Sequence, residues 1–229
     1  MKSLFLLKWF NTHCDKTQYV MKTDDDMYIN LDKLYATVQS NKRPNLLMGS
    51  LICNAIPIKD PYNKWYVPHY MFAGKRYPNY LSGTHTHTDT LLYVVFLSQS
   101  SSSCYIILCS VEIIFNSLGT AYLMARTTVS KLYNASLDTP MFHLEDIFVT
   151  GMLSAKVRIR PVDNIGFSYV RRKLNSCLFK QSISTHKIKL IEMKAIYDKL
   201  QSSKNQECPK IKSRLMRDYG PGKCTWPKV

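Results

Sequence analysis

The sequence predicts an α/β fold, in which short buried strands alternate with amphipathic helices. An apolar, β-prone run at residues 19–23 ends at three consecutive aspartates, and a helical pattern begins directly after them. Residues 46–52 form a second apolar run of strand length, and residues 122–125 form a third that leads into another helical pattern. Such alternation is typical of α/β domains, and 229 residues can bury one sizeable core.

The elements of the first half follow from hydrophobic spacing and capping residues. Residues 1–10 are apolar and basic and predict the end of a helix. Their apolar part is too short for a signal peptide. Asn30 is a good N-cap, and apolar side chains recur after it on one helical face: Leu31, Leu34, Tyr35 and Val38. Residues 46–52 predict a buried strand, and residues 57–80, rich in proline and aromatic residues, predict a loop.

The second half shows the same alternation. Residues 122–125 predict a strand, and a helical stripe that ends at Pro140 follows: Val129, Leu132, Tyr133 and Leu137. A helix is predicted after Glu145 and Asp146, whose charges suit its positive N-terminal end. The last helical stripe comprises Leu190, Met193, Tyr197 and Leu200. Residues 202–229 are basic, contain proline and glycine, and predict a poorly ordered tail.

The chain is strongly basic, with a formal net charge of +15. Such a charge favours nucleic acid or another anionic surface as a partner. No helix-turn-helix, zinc-finger or RNA-binding motif accompanies it, so we expect no nucleic-acid partner. Positive charge beside a diphosphate ligand, or on a protein that faces anionic membranes, explains the composition more simply.

The seven cysteines form no C-x-x-C pair and have no zinc-ligand spacing. Their wide separation suits either buried thiols or long-range disulfides in an oxidising compartment. Asn134-Ala135-Ser136 is an N-glycosylation acceptor if the chain enters the secretory pathway.

The acidic run Asp24-Asp25-Asp26 is the strongest chemical signal in the sequence. In an extended backbone Asp24 and Asp26 point to one face and Asp25 to the other. Adjacent like charges are unfavourable unless a cation neutralises them, and Mg²⁺ or Mn²⁺ binds one or two carboxylates together with phosphate oxygens. Because ligands bind at strand ends in open α/β sheets, the run predicts a metal–diphosphate site.

A calcium loop and a phosphorylated aspartate fit the acidic run less well. An EF-hand loop that begins at Asp24 needs glycine at its sixth position and glutamate at its twelfth, where the chain has Ile29 and Tyr35. A phosphatase-type aspartyl nucleophile lacks a partner motif. A solvated turn is the structural alternative.

Five segments of the chain fall into one ordered set. They are residues 8–26, 64–68, 77–84, 143–151 and 185–193. In this order they match a strand with a D-x-D motif, K-W-Y-x-P, the segment that leads into S-G-T-[GA]-Y, H-L-E-D-V-[YF]-[VT]-G, and a late V-H-x…E-M element. The set resembles the β-1,3-galactosyl/N-acetylglucosaminyltransferase family, glycosyltransferase family 31.

The resemblance implies an α/β fold of the GT-A, Rossmann-like type and an enzyme on the lumenal side of the Golgi membrane. It implies inverting transfer of galactose from UDP-galactose to the 3-hydroxyl of an acceptor sugar on a glycoprotein or glycolipid. A β-1,3-N-acetylglucosaminyltransferase and an inactive truncated fragment are the two alternatives.

The same resemblance assigns residues to the chemistry. Asp24, Asp26 and His186 are expected to hold Mn²⁺, with Mg²⁺ as the alternative ion. Asp146 is expected to be the general base that takes the proton from the acceptor hydroxyl. The expected substrate-binding residues are Lys22, Asp25, Trp65, Tyr66 and Glu145.

Each assignment has a structural alternative. Trp65 and Tyr66 would stack on a sugar face, although Trp65 would equally suit a core. Asp146 would equally suit a helix N-terminus, and His186 a buried or surface position. We expect Glu145 to be more structural than Asp146, through hydrogen bonds to the backbone.

Two departures from the family pattern set the expected boundaries. Met1 stands only about twenty residues before the D-x-D strand, so we expect this chain to lack a membrane anchor, a stem and the uridine-binding N-terminal half of the domain. Residues 1–84 and 121–201 are then the two parts of the catalytic domain that are present.

The second departure is residues 85–120, which interrupt the S-G-T-[GA]-Y motif. The histidine–threonine alternation over residues 84–88 is what a CA-dinucleotide repeat would encode, so we interpret the insertion as a translated intron that is foreign to the fold. A His-x-His metal site at His85 and His87, or a transmembrane helix over residues 91–115, is the alternative.

Overall fold

The computed structural model describes residues 2–24, 26–83, 92–100, 103–110, 121–211 and 224–226. Helices and short strands alternate in this part of the chain, which confirms the predicted α/β class. The helices are α1 (Lys2–His13), α2 (Leu31–Gln39), α3 (Arg126–Ser136), α4 (Ser154–Lys156), α5 (Ser176–Gln181) and α6 (Leu190–Ser202), and a π-helix (Ile147–Leu153) runs directly into α4. The strands are β1 (Tyr19–Asp24), β2 (Tyr28–Ile29), β3 (Leu47–Gly49), β4 (Leu51–Ile52), β5 (Tyr80–Leu81), β6 (Leu92–Ser100), β7 (Ser103–Ser110), β8 (Tyr122–Ala125), β9 (Val162–Asp163), β10 (Phe167–Ser168) and β11 (Ser184–Thr185).

The largest described sheet has six strands in the order β7-β6-β1-β8-β3-β9. β1 lies inside this sheet and pairs antiparallel with β6 on one side and with β8 on the other. β8 pairs antiparallel with β3, and β3 pairs parallel with β9. The strand that leads into the acidic run is therefore central, paired with β8 as far as Lys22 and with β6 as far as Asp24.

Successive residues of the central strands face two different cores. Val20 and Met124 pack with apolar side chains of α1, α3 and the π-helix. Met21 and Leu123 pack on the opposite face, with Leu34 and other side chains of α2. This is the two-residue period of a strand, and because both faces are covered, β1 is buried along nearly its whole length.

Asn30 is the N-cap of α2, as predicted, and it also joins α2 to a distant part of the chain. Its Oδ1 accepts a hydrogen bond from Lys33 N at 2.9 Å, and its Nδ2 donates to Phe179 O at 3.2 Å. Its backbone N–H donates to Ile183 O at 2.9 Å. These bonds hold β2 and α2 beside α5 and the three-stranded sheet β10-β11-β2.

Residues 46–52 do not form the single strand that their apolar run predicts. They form β3 and β4, which lie in different sheets, and the strand conformation is interrupted between them at Ser50. Gly49 O accepts from Asn164 N at 2.9 Å, and Leu51 N donates to the Asp163 side chain at 3.0 Å. These bonds to distant residues replace the ladder of one continuous strand.

Helix α6 forms where it was predicted, but its buried face is different. Leu190 and Tyr197 are 84% and 62% exposed, whereas Ile196 is buried. Ile196 packs with Phe179 of α5, and Met193 and Leu200 flank this contact. Among the described residues of α6, Ile196 is the one that is buried, so only a narrow stripe of the helix is covered.

The tail residues that the structure describes are tied to the rest of the fold, and the predicted poor order of the tail as a whole stays a prediction. A disulfide joins Cys177 to Cys208, and a second joins Cys53 to Cys224. The Gln181 side chain donates to Pro209 O and accepts from Ile211 N, both at 2.9 Å. The disulfides and these hydrogen bonds thus hold tail residues whose composition gives no signal of regular structure.

Within residues 85–120 the structure describes the backbone of β6 and β7, which form an antiparallel hairpin. β6 pairs with β1 from Tyr19 to Asp24. The sequence did not predict these strands, and they exclude a helix over the described part of residues 91–115. His85 and His87 lie outside the described residues, and the foreign origin of the insertion stays a prediction.

None of the helices in the described ranges combines the length and the apolar character needed to cross a bilayer.

We predict that Asn30 contributes to stability both as a cap and as a link to α5. Asn30→Ala should lower the free energy of unfolding by about 1–3 kcal/mol, because it removes the cap and the bond to Phe179 O. Asn30→Ser keeps an N-cap acceptor and should lose less. Chemical denaturation of both variants measures the difference, and equal losses would show that the cap contributes nothing.

Candidate active site

The π-helix begins directly after Glu145 and Asp146, and backbone N–H groups hold Asp146 in place. Asp146 Oδ1 accepts from Ile147 N at 2.8 Å, and Oδ2 accepts from Gly83 N at 2.7 Å. Thr150, one turn later, accepts from Leu81 N through its hydroxyl at 2.9 Å and donates to Asp146 O at 2.6 Å. The start of the π-helix is therefore fixed to the end of β5.

Gly83 belongs to the S-G-T segment, and its lack of a side chain permits this contact. A Cβ on Gly83 would lie 2.7 Å from Asp146 Cβ and 3.1 Å from Asp146 Oδ2. No side chain fits at that distance, so the backbone N–H can approach the carboxylate only from a glycine. The S-G-T segment and the H-L-E-D segment thus meet at the hydrogen bond from Gly83 N to Asp146 Oδ2.

The Asp146 carboxyl has a strongly perturbed proton affinity. Burial, with the nearby charge of Glu145 as a second cause, raises its pKa from 3.8 to about 7. The hydrogen bonds from Gly83 N and Ile147 N, and the charge of Lys22, oppose this rise. A carboxyl group with this pKa exchanges its proton near neutral pH.

A buried ionic cluster lies next to Asp146 and joins it to the end of β1. Lys22 Nζ is 3.2 Å from Asp24 Oδ1 and 3.8 Å from Glu145 Oε2, and the three side chains are buried. Tyr122 donates its hydroxyl to Glu145 Oε1 at 2.7 Å. Burial lowers the pKa of Lys22, but the charges of Asp24 and Glu145 outweigh it and the net direction is upward.

This cluster contains two residues that were expected to bind substrate. Lys22 is fully buried and contacts Asp24 and Glu145, because its strand is covered on both faces. Glu145 contacts the side chains of Lys22 and Tyr122, and the substrate-binding roles of both residues stay predictions. The backbone bonds go to Asp146.

Asp146 lines a cavity of about 380 Å³ together with aromatic side chains. Trp65, which is partly exposed, lines the same cavity, as do Tyr77, Tyr80 and Tyr169. Burial raises the pKa of Tyr77 to about 12, and burial also raises the pKa of Tyr80. The structure therefore brings the expected base and the expected stacking residue to one cavity.

Tyr66 is not among the residues that line this cavity in the described part of the chain. Its backbone carbonyl lies 3.0 Å from His143 Nε2, which ties the K-W-Y-x-P segment to the H-L-E-D segment. Sequence reasoning did not single out the three tyrosines of the cavity, since nothing local in the sequence distinguishes them from core residues.

Asp26 and His186 form a second pair of polar groups. His186 Nε2 is 3.1 Å from Asp26 Oδ2, and His186 Nδ1 is 3.2 Å from Tyr169 O. A carbonyl beside Nδ1 favours the tautomer in which Nε2 is the ligand atom. Tyr169, whose carbonyl orients His186, also lines the Asp146 cavity.

Asp24 is the last residue of β1, and Asp26 lies beyond the end of the strand. The two-residue period of the strand therefore does not extend to Asp26. Asp24 contacts Lys22, whereas Asp26 contacts His186, and Asp25 lies outside the described residues. Within the described residues, no group of three acidic, histidine or cysteine side chains is arranged to hold a metal ion.

Oxygen and imidazole ligands such as Asp26 and His186 suit Mn²⁺. Ions of this kind take one or two carboxylates and complete their shell with phosphate oxygens and water. The Asp26–His186 pair therefore fits such an ion.

Comparison with known proteins agrees with this arrangement. Residues 1–107 match the family model described as Galactosyltransferase. The chain is 28% identical to β-1,3-galactosyltransferase 1 of Homo sapiens over 210 residues, which cover 91% of this chain and 53% of the relative. It is 26% identical to β-1,3-galactosyltransferase 5 of Mus musculus, over 92% of this chain and 58% of the relative, and 27% identical to β-1,3-galactosyltransferase 2 of Mus musculus, over 91% and 42%.

The α/β architecture and these matches support a glycosyltransferase. They confirm the resemblance to the β-1,3-galactosyltransferase family, glycosyltransferase family 31, that the motifs of the chain carry. The chain spans about half the length of the curated relatives it matches.

We predict that Gly83→Ala disturbs the position of Asp146. The new methyl group would lie 2.7 Å from Asp146 Cβ, and we expect a loss of about 1–3 kcal/mol in the free energy of unfolding. Gly74→Ala is the matched control, because its methyl group would lie at the same 2.7 Å from the far end of the Phe72 side chain, which can shift, and 3.6 Å from Arg76 O. Chemical denaturation of both variants decides, and equal stabilities would contradict the close approach.

We also predict that Asp146 makes stability fall as pH rises. A carboxyl group whose folded pKa is raised from 3.8 to about 7 contributes stability that is present below pH 3.8 and is lost as pH rises through about 7. As pH rises, wild type should therefore lose free energy of unfolding relative to Asp146→Asn, by up to about 1.4 kcal/mol per pH unit. Unfolding curves between about pH 4 and pH 8 measure this shift.

Asp138 provides a control of opposite sign. The hydrogen bond from Lys156 holds the pKa of this carboxyl below its usual value, so its contribution is present at neutral pH and is lost as pH falls. A stability difference for Asp146→Asn that does not vary with pH, or that follows the Asp138→Asn direction, would contradict the raised pKa.

Proposed function

We propose that this chain is part of a β-1,3-galactosyltransferase that moves galactose from UDP-galactose to the 3-hydroxyl of an acceptor sugar on a glycoprotein or glycolipid. The central supporting observation is the Asp146 carboxyl, which two backbone N–H groups fix at the wall of an aromatic-lined cavity. The relatives' names supply the sugar and the linkage. A fold of the GT-A type is part of the same proposal.

Asp146 has the properties that a general base requires. With a pKa of about 7, a substantial fraction is ionised at neutral pH while the group still has useful basicity. It takes the proton of the acceptor hydroxyl as that oxygen attacks the anomeric carbon of the donor. Attack from the face opposite the leaving UDP inverts the configuration and gives a β linkage from an α-linked donor.

The neighbours of Asp146 act by holding it. The Gly83 N–H fixes the direction of the Asp146 carboxylate. Lys22 and Tyr122 hold the preceding residue, Glu145, and so fix the backbone next to Asp146. Trp65 offers an aromatic face in the same cavity, which suits a sugar ring. Positioning of this kind lowers the entropic part of the barrier.

Asp26 and His186 are the residues that would hold the metal ion, Mn²⁺ or Mg²⁺, beside the donor diphosphate. The ion supplies a Lewis acid that stabilises charge on the departing UDP. We assign Asp24 to the support of this site rather than to direct ligation, because its Oδ1 contacts Lys22. Tyr169 connects the two sites, because its carbonyl orients His186 and the residue also lines the Asp146 cavity.

A location in the Golgi lumen belongs to the same proposal. The two disulfides Cys53–Cys224 and Cys177–Cys208 suit an oxidising compartment. Asn134, the glycosylation acceptor, is exposed near the end of α3, where a glycan would be accommodated.

The test separates the base from the donor site. In a full-length enzyme that includes the uridine-binding half, Asp146→Asn keeps the size and hydrogen-bonding capacity of the side chain but removes its basicity. We therefore expect kcat for galactosyl transfer to fall by about 10²–10⁴. Binding of UDP in the presence of Mn²⁺, measured by calorimetry, should remain. Asp26→Ala should instead lose Mn²⁺-dependent UDP binding, and with it transfer.

Asp32→Ala is the control for the second variant, since Asp32 lies in the first turn of α2 and we expect it to leave both properties unchanged. Wild-type transfer by Asp146→Asn would exclude this residue as the base. Loss of UDP binding in Asp146→Asn would instead give it a role in binding the donor.

A further inference from the structure

A second cavity, of about 430 Å³, lies next to the first, and Tyr77 lines both. Three arginines and one tryptophan line it: Arg76, Arg158, Arg160 and Trp226. No acidic side chain is among its described lining residues. We call it the arginine cavity, and nothing in the proposed mechanism uses it.

The walls of the arginine cavity are tied to the rest of the fold. The Cys53–Cys224 disulfide anchors the segment that carries Trp226, and Asn79 Nδ2 donates to Thr225 O at 2.9 Å. Arg160 lies against Trp226, with its guanidinium carbon 5.8 Å from the ring centre. The aromatic face and one cation are therefore presented together.

Arg76 is held from the opposite segment. Its Nη1 donates to Asn54 O at 2.9 Å, and Asn54 itself has a left-handed backbone with φ of 60°. One of the five N–H bonds of this guanidinium is thus used for positioning, and the planar group retains others for a ligand.

Arg158 occupies a position that normally favours glycine. Its φ is 57°, and it follows the end of α4, where Ile159 N donates to Ser154 O at 2.8 Å and Arg158 N donates to Ala155 O at 3.1 Å. This is the Schellman pattern of a helix C-terminus, whose left-handed residue is most often glycine. A side chain there is unfavourable for the backbone, and strain of this kind is concentrated at functional sites.

The chemistry of these groups defines the ligand. Guanidinium groups bind the oxygens of sulfate and carboxylate groups through paired N–H bonds, and clustered cations with no nearby acid favour an anion. An aromatic ring beside them suits the flat face of a sugar. An extended nucleic-acid backbone would need a basic track rather than an enclosed cavity of this size.

We propose that the arginine cavity binds a sugar that carries a sulfate or carboxylate group. In this respect the inference rests on the proposed function, because it takes the anion to be part of an acceptor glycan whose neighbouring unit reaches the Asp146 cavity past Tyr77. The site is separate from the Asp26–His186 pair, so it serves the acceptor rather than the donor diphosphate.

Direct binding tests this site without any transfer reaction. Calorimetry with the whole chain should show that lactose 6′-sulfate or 6′-sialyllactose binds at least about tenfold more tightly than lactose, and more tightly than inorganic sulfate. Arg160→Gln should remove most of this preference. Arg158→Gly should weaken binding without lowering the melting temperature, because glycine relieves the left-handed backbone.

Two further variants separate this inference from the proposed function. Arg43→Gln removes an exposed arginine outside the cavity and should bind as wild type does. Asp146→Asn should also keep the preference for the anionic sugar, even though transfer is lost. If transfer fails in wild type while anionic binding persists, only the proposed function is overturned.

Equal affinity for lactose and its anionic derivatives would overturn the arginine cavity as a glycan site, and so would wild-type binding by Arg160→Gln. Binding of inorganic sulfate as tight as that of the sulfated sugar would show an anion site without sugar recognition. Loss of the preference in Asp146→Asn would place the ligand in the other cavity. Preference for only one of the two anionic sugars would identify the group that the site accepts.

Discussion

The ammonium group of Lys22, buried at the end of β1 between Asp24 and Glu145, is the interaction on which the site depends. Two carboxylates of different chain segments are buried there, and neither would be tolerated without a cation. Removing one member of such a group leaves an uncompensated buried charge, which costs about 3–5 kcal/mol. The pairing therefore fixes the end of the central strand to the start of the π-helix.

The position and the chemistry of Asp146 follow from that pairing. Because Lys22 and Tyr122 hold Glu145, the next residue is directed to the cavity wall, where Gly83 N–H meets it. Burial beside the charge of Glu145 raises the pKa of Asp146 to about 7. Burial thus gives the carboxyl group a pKa near neutral, while the hydrogen bonds from Gly83 N and Ile147 N orient the group and oppose this rise.

Aromatic residues connect the separate polar groups. Tyr169 orients His186 through its carbonyl and lines the Asp146 cavity, and Tyr77 lines both this cavity and the arginine cavity. A glycan is a long ligand with polar edges and flat faces, so adjoining cavities with aromatic walls suit several of its units. The disulfide at Cys53 holds the outer wall of this arrangement.

Elements whose signals are local could be predicted from the sequence. The apolar runs at β1 and β8, the Asn30 cap of α2 and the acidic start of the π-helix all appear where periodicity and capping predicted them. The motifs also carried the family resemblance, because they depend on residue identity and order alone. A period of two applies only within a strand, and β1 ends at Asp24, so the shared face of Asp24 and Asp26 stays a prediction.

Only the tertiary structure decided which of these residues act together. The contacts of Lys22 with Glu145, of Gly83 with Asp146 and of Asp26 with His186 join segments far apart in the chain. The two disulfides and the arginine cavity arise in the same way. Burial, and with it the perturbed pKa of Asp146, is a property of the packed molecule, because it depends on which distant side chains exclude water from the group.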